Sequence, residues 1–406
     1  MFDTGSTSFM LICTMLVLLM TPGVAFFYGG LARRKNVVNT MFMSMAIIGV
    51  VGVLWIIAGW SFAYGGDGSN PFFGGFDQLG CASVVQDMLV EAQVVPEDAV
   101  YPAIIDVVFQ AAFAMITCAI IWGAVAGRMK FGAMIAFVSI WVLVIYCPLA
   151  HMVWGGEGSF IGNQIGALDF AGGDVVHISS GLAGLVLCLL LGSRKEFGTV
   201  AHRPHNIPLV VLGVTLLWFG WFGFNGGSEF AADGIAALAI LNTVVASGAA
   251  LLSWMVVEKI AVGKPTLVGA VTGLVAGLVV ITPAAGFVEP WAAIVMGFIV
   301  SPICYFAMSV LKLSLIHILR ARLSLMPSSR RLAIPSIASI FMSTASSSRI
   351  STRSWPKNIN MTEARRAVLP CKSSIRQRSS RPTLQPSSKR EGSSMRRSSW
   401  VTMLAA

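Results

Sequence analysis

Asp169-Phe170-Ala171-Gly172-Gly173-Asp174-Val175-Val176-His177-Ile178-Ser179-Ser180-Gly181 runs without a break into the apolar stretch 182–191. A histidine inside a hydrophobic span is costly to bury unless it faces a partner or a pore. The glycines around it let neighbouring backbones approach closely. Two readings stand at this point. The histidine bonds a neighbouring helix, or it lines a path across a bilayer. The rest of the chain favours the second.

Of the 406 residues, 56% are hydrophobic and only 11% charged, and the mean hydropathy is +0.78. A water-soluble core is not large enough to hide that much apolar surface. The class is therefore an all-α polytopic membrane protein, because backbone groups in lipid must be satisfied within each span. The net charge of +10 is unevenly placed. Residues 1–311 hold 10 Lys and Arg against 16 Asp and Glu, a net −6. Residues 312–406 hold 18 against 2, a net +16. The basic balance belongs to the tail and gives no sign of nucleic-acid binding by the apolar part. Five of the seven cysteines fall in apolar segments, Cys81 lies in a polar loop, and there is no CxxC pair. Neither a disulfide framework nor a zinc site is expected.

A bilayer crossing needs roughly 20 apolar residues. Nine segments meet that length, at about 8–30, 37–65, 103–126, 131–150, 171–192, 207–226, 234–257, 266–286 and 291–311. Their connections alternate in charge. Arg33-Arg34-Lys35, Arg128 and Lys130, Arg194, Lys195 and Arg203, Lys259 and Lys264, and Lys312 follow the odd-numbered spans. Asp67, Asp77, Asp87, Glu91, Glu97 and Asp98, then Glu157, Glu229 and Asp233, and Glu289 follow the even-numbered ones. Basic loops stay in the cytoplasm, so the N-terminus is expected outside. The first segment lacks the basic start and small-residue cleavage site of a signal peptide, and reads as a retained span.

Span one ends Phe26-Phe27-Tyr28-Gly29-Gly30, and span six ends Trp221-Phe222-Gly223-Phe224-Asn225-Gly226-Gly227. An echo five spans apart implies a second half inverted relative to the first, a transporter arrangement with its path at the repeat interface. After Lys312 the pattern breaks. Forty of the 41 glycines precede it, and the tail is dense in Ser and Arg with no Asp. The tail is either a disordered basic arm lying on anionic lipid or an out-of-frame translation joined to a membrane domain. Scattered Trp355, Trp400 and aliphatic residues fit no disordered class, which favours the shifted frame.

Residues 1–311 resemble the ammonium transporter family (Amt/Mep/Rh). The resemblance rests on Pro22-Gly23-Val24-Ala25-Phe26-Phe27-Tyr28-Gly29-Gly30, Ala150-His151-Met152-Val153-Trp154-Gly155-Gly156, the Asp169–His177 run, Pro204-His205-Asn206, and Gly220 to Ser228. It implies an inverted five-helix repeat transporter fold, with nine of the family's eleven spans present in 1–311. It also implies a multi-pass protein of the inner or plasma membrane, a homotrimer with one pore per subunit, and a PII-type signalling protein as a cytoplasmic partner. The implied substrates are ammonium and methylammonium.

Moving ammonium poses two problems: picking the cation out of water, and keeping its bare charge out of lipid. Ring faces attract a compact, partly desolvated cation by about 0.5–2 kcal/mol. By resemblance Phe113, Trp154 and Ser228 form the outer recruitment site, the two rings by cation–π contact and the hydroxyl by accepting a hydrogen bond. Phe224 joins Phe113 as a pair of gate rings. His177 lines an apolar channel for neutral ammonia, where an imidazole both donates and accepts hydrogen bonds. Asp169 either supports the outer site electrostatically or caps a helix N-terminus. Asp174 departs from the small or polar residue expected there, and is either packing or a local modifier.

The family pairs a second histidine in a pattern like Asp-x-Phe-Gly-x-His-Gly, which this chain lacks; His317 has no such flanks and does not take that role. The chain as written is expected to have an open pore wall and impaired conduction. His202 and His205 have metal-compatible spacing, but Pro204 breaks their face and no third ligand is near. They read as a loop, and no metal or cofactor is expected. His151 reads as a loop anchor. An enzyme is not expected: haem redox chemistry needs facing histidine pairs, and only His177 lies within a span. The rival function is a membrane ammonium sensor, for which no output domain follows.

Overall fold

The computed structural model describes residues 2–66, 68–82, 84, 100–156, 158–192 and 204–325, with side chains as far as 308. Asp67, Asp87, Glu91, Glu97, Asp98, Glu157, Arg194, Lys195, His202 and Arg203, the side chains of Lys312 and His317, and the tail from 326 onward lie outside the described residues.

Among the described residues there is no strand, and nine helices are long and apolar enough to cross a membrane. We number them α1 (Thr4–Leu31), α2 (Arg34–Tyr64), α3 (Ile104–Val125), α4 (Phe131–Trp154), α5 (Gly173–Leu191), α6 (Ile207–Gly227), α7 (Gly234–Val262), α8 (Leu267–Ala284) and α9 (Pro290–Leu325). The chain is a multi-pass membrane protein. Large apolar side chains such as Val38, Leu190 and Ile260 cover the outside, where lipid replaces water as solvent. The interior instead carries small and hydroxyl residues. Thr14, Ser44, Thr117, Thr243 and Ser247 each donate to the carbonyl four residues earlier. That pairing removes their demand for water without an outside partner.

Local chemistry sets the helix starts. Asp3 accepts from the Ser6 amide, Asn206 from Leu209, Asp233 from Ile235 and Ala236, and Thr266 from Gly269. Each satisfies amides that the first helical turn leaves open. The most extensive helix pairing is α1 against α6. It depends on close backbone approach: a Cβ on Gly213 would press on the Phe27 amide and lie 2.7 Å from the Gly23 carbonyl oxygen. Small residues are what permit such crossings in a membrane, where no hydrophobic force drives helices together.

Three spans contain π-turns: Trp55–Gly59 in α2, Val142–Tyr146 in α4, and Gly173–Ile178 at the head of α5. A π-turn inserts one residue into the helical ladder and re-aims the side chains beyond it. The fourth helix also runs on to Trp154, past the limit at 150 that hydropathy marks.

Candidate functional site

Two chambers lie on either side of a pair of stacked rings. The first, the end chamber, holds about 220 Å³ and is lined by Tyr64, Gln110, Phe113, Trp154, Asp169, Phe170, Ser228 and Phe230. The second, the midspan chamber, holds about 160 Å³, and its walls include Val24, Tyr28, Ile116, His177, Trp221 and Phe224. Phe113 and Phe224 stand between them, stacked with centroids 4.0 Å apart and planes 16° apart. Both rings are buried. Trp154 meets Phe113 edge-on at 6.2 Å, while His177 stacks on Trp221 at 5.3 Å and on Phe224 at 5.9 Å. The result is a continuous aromatic column from Trp154 to His177.

Asp169 builds the turn that carries His177. Its carboxylate accepts from the amides of Gly172 (2.8 Å), Gly173 (2.6 Å), Asp174 (2.8 Å) and Val175 (3.3 Å). Gly172 sits at φ 109°, a conformation L side chains rarely adopt, and so lets the chain turn back onto the carboxylate. The π-turn then places His177 against Trp221, with its Nε2 enclosed and lacking a hydrogen-bond partner. The carboxylate thus caps a helix start, and Asp169 is also among the residues that line the end chamber. Trp154 is fixed by its indole N–H, which donates to the Asp169 carbonyl oxygen at 2.9 Å. Ser228 donates its hydroxyl hydrogen to the Phe224 carbonyl oxygen at 2.8 Å, which leaves its oxygen free to accept. Beside it, partial burial and then repulsion by Asp233 hold the Glu229 carboxyl above its ordinary range. Phe230 has φ 60°, a strained choice for a bulky side chain, of the kind that clusters at binding sites.

The family profile described as Ammonium Transporter Family matches residues 8–318. An ammonium transporter of Bacillus subtilis (strain 168) is 47% identical over 308 residues, covering 76% of this chain and 73% of its own length. One from Aquifex aeolicus (strain VF5) is 48% identical over 311 residues, covering 76% and 70%. Among solved structures, Saccharomyces cerevisiae Mep2 superposes with a TM-score of 0.70 at 35% identity, covering 77% of this chain and 68% of that one. A Sensor Amt Protein superposes with a TM-score of 0.68 at 26% identity, covering 76% and 75%. The chain belongs to the ammonium transporter family.

In this ammonium transporter the four side chains named for the outer site and gate, Phe113, Trp154, Ser228 and Phe224, surround one chamber and its floor. Asp169 lines the same chamber, and His177 lies in the next one. Asp174 faces neither. It borders a groove between α4 and α5 with Phe137, Trp141, Ile178 and Leu182. His151 is an anchor, with Nδ1 2.9 Å from the Ala63 carbonyl oxygen and Nε2 2.7 Å from that of Asn70, so it ties down the loop after α2. Among the described residues no group of three His, Cys, Asp or Glu side chains sits together as metal ligands would. Sequence reasoning passed over Trp221, Tyr64, Gln110 and Phe230. Trp221 had a signal, since it precedes Phe224 by three residues and shares its helix face.

Proposed function

We propose that the end chamber is the outward-facing recruitment site for ammonium and that the midspan chamber passes ammonia along His177. One observation carries this reading: the Phe113–Phe224 stack separates a chamber rich in acceptors from one whose sole enclosed, unpartnered polar atom is His177 Nε2. A cation gains from ring faces and acceptors in the first. A charge entering the second would give up its water for apolar walls, whereas neutral ammonia gives up far less. Methylammonium is the expected alternative substrate. The pairing of α1 with α6 supports the inverted repeat, and the basic loops support an N-terminus outside a plasma or inner membrane. A homotrimer and a PII-type partner follow from family membership, and residues 312–406 are proposed to be a shifted reading frame.

The test restores the reading frame after residue 311 and applies an ammonium pulse to proteoliposomes that carry the restored chain and enclose a pH dye. The expected result is rapid internal alkalinisation that His177→Leu abolishes while ammonium binding persists. Unchanged flux in the variant would remove His177 from the path. Binding without any flux in the restored chain would favour the sensing role, which the similarity to the Sensor Amt Protein keeps open.

A further inference from the structure

The groove between α4 and α5 shares no lining residue with either chamber and holds about 550 Å³. Phe137, Trp141, Ile145 and Leu149 of α4 form one wall, at every fourth residue. Ile178, Leu182, Val186 and Leu190 of α5 form the other at the same spacing. Such ridges ordinarily interlock. Here they stand apart, and Ile178, Leu182 and Leu190 remain 63%, 60% and 72% exposed. Asp174 and Ser179 line the same groove, towards the end where α5 begins. Five residues separate them, and the wide π-turn brings both to one side. Asp169 already accepts from the open amides of this turn, so capping leaves the Asp174 carboxylate no task. Among the described residues no donor or cation pairs with that carboxylate. The Ser179 hydroxyl donates to the Val175 carbonyl oxygen and keeps its own lone pairs. An acid on a lipid-facing surface is costly unless something of opposite charge meets it.

We propose that this groove binds one phosphatidylethanolamine molecule, whose headgroup ammonium pairs with Asp174 while an acyl chain lies between the two apolar ridges. Charge and shape select that occupant. The headgroup supplies a positive charge and three N–H donors, and the Asp174 carboxylate and Ser179 oxygen accept them. Phosphatidylcholine carries the charge without a donor. An anionic headgroup brings like charge to the carboxylate, which works against binding. The length agrees as well. Asp174 to Leu190 spans sixteen residues, about 24 Å of helix at 1.5 Å each. The hydrocarbon of one leaflet is about 15 Å deep, half of the bilayer core. The groove therefore takes a leaflet-long acyl chain with the amine beside the carboxylate.

The experiment adds lipids of identical acyl chains and different headgroups to the purified full-length protein in detergent, as written and with the frame restored after residue 311. Native mass spectrometry counts the lipid held, and melting without lipid is recorded for every variant. Phosphatidylethanolamine is expected to bind about tenfold more tightly than phosphatidylglycerol, the effect of one charge-assisted hydrogen bond, with phosphatidylcholine between them. Asp174→Asn should erase that preference. Asp174→Lys should reverse it towards phosphatidylglycerol, a gain that a purely structural carboxylate would not produce. If the Asp174 variants fail to fold, Leu182→Trp still decides: it fills the groove with Asp174 in place and should release the phosphatidylethanolamine. Equal affinity for the two headgroups, or a preference that survives Asp174→Asn or Leu182→Trp, overturns the proposal. Binding confined to the protein as written overturns it too, because the restored spans then fill the groove.

Discussion

The chambers on either side of the Phe113–Phe224 stack differ in how their polar groups are occupied. In the midspan chamber the Tyr28 hydroxyl donates to the Ile120 carbonyl oxygen, Ser180 to that of His177, and the Trp221 indole N–H to Thr282. His177 Nε2 alone is left enclosed and without a partner. In the end chamber the Gln110 Oε1 and the Tyr64 hydroxyl are enclosed and unpartnered, Ser228 keeps lone pairs, and the carboxylate of Asp169 is taken up by four backbone amides. On the function proposed above, the end chamber meets a cation and the midspan chamber a neutral molecule. A stack one ring deep on each side maintains that difference, and it can be broken at three levels.

The largest effect is expected at Asp169, whose carboxylate holds the turn that carries His177. Asp169→Ala removes the acceptor from four amides in a buried turn. Stranding several buried donors together should cost about 3–5 kcal/mol, given about 1–3 kcal/mol for each and incomplete additivity. Unfolding in mixed detergent measures this. A loss under about 1 kcal/mol would mean that the turn holds itself and that the carboxylate acts on the guest alone.

Next comes the partition. Phe224→Ala deletes a ring that is fully buried, stacked on Phe113 and His177 and tilted against Trp221. The expected loss is about 3–4 kcal/mol, the usual range for opening a cavity of that size. The chambers then become one space, and Trp154 fluorescence should shift red as water gains access. Retained stability with unshifted fluorescence would show that neighbouring side chains close the gap. Trp221→Phe is milder. It keeps the stack on His177 and removes the donor to Thr282, which still donates to the Leu278 carbonyl oxygen. About 1 kcal/mol is expected in the same unfolding assay, because no buried donor is stranded.

Much of this frame was legible beforehand. Nine apolar runs separated by polar loops announce an all-helical membrane protein, because length and hydropathy suffice for that inference. The motifs around Trp154, His177 and Phe224 pointed to the family. The π-turns left no trace, since one extra residue in a ladder changes neither composition nor period. Asp169 was legible as a cap or as a site residue, and the three-dimensional turn shows its carboxylate accepting four backbone amides. Tyr64 and Gln110 gave no signal, because a polar residue near a helix end reads as interfacial until its neighbours are known.

The smallest effect lies at the rim, where charge is wetter. Burial raises the Glu229 carboxyl above its ordinary value of 4.5, and Asp233 adds to the rise. The folded chain therefore holds that proton more tightly than the unfolded chain does. The resulting stabilisation is complete below pH 4.5 and is lost as pH rises through the elevated value. Glu229→Gln should flatten the melting profile in that window and lift the melting point slightly at neutral pH, where the native carboxylate is ionised. It should also weaken ammonium binding a little at low salt, by removing a negative charge next to Ser228, and the difference should vanish at high ionic strength. An effect on binding that survives high salt would place Glu229 in contact with the cation.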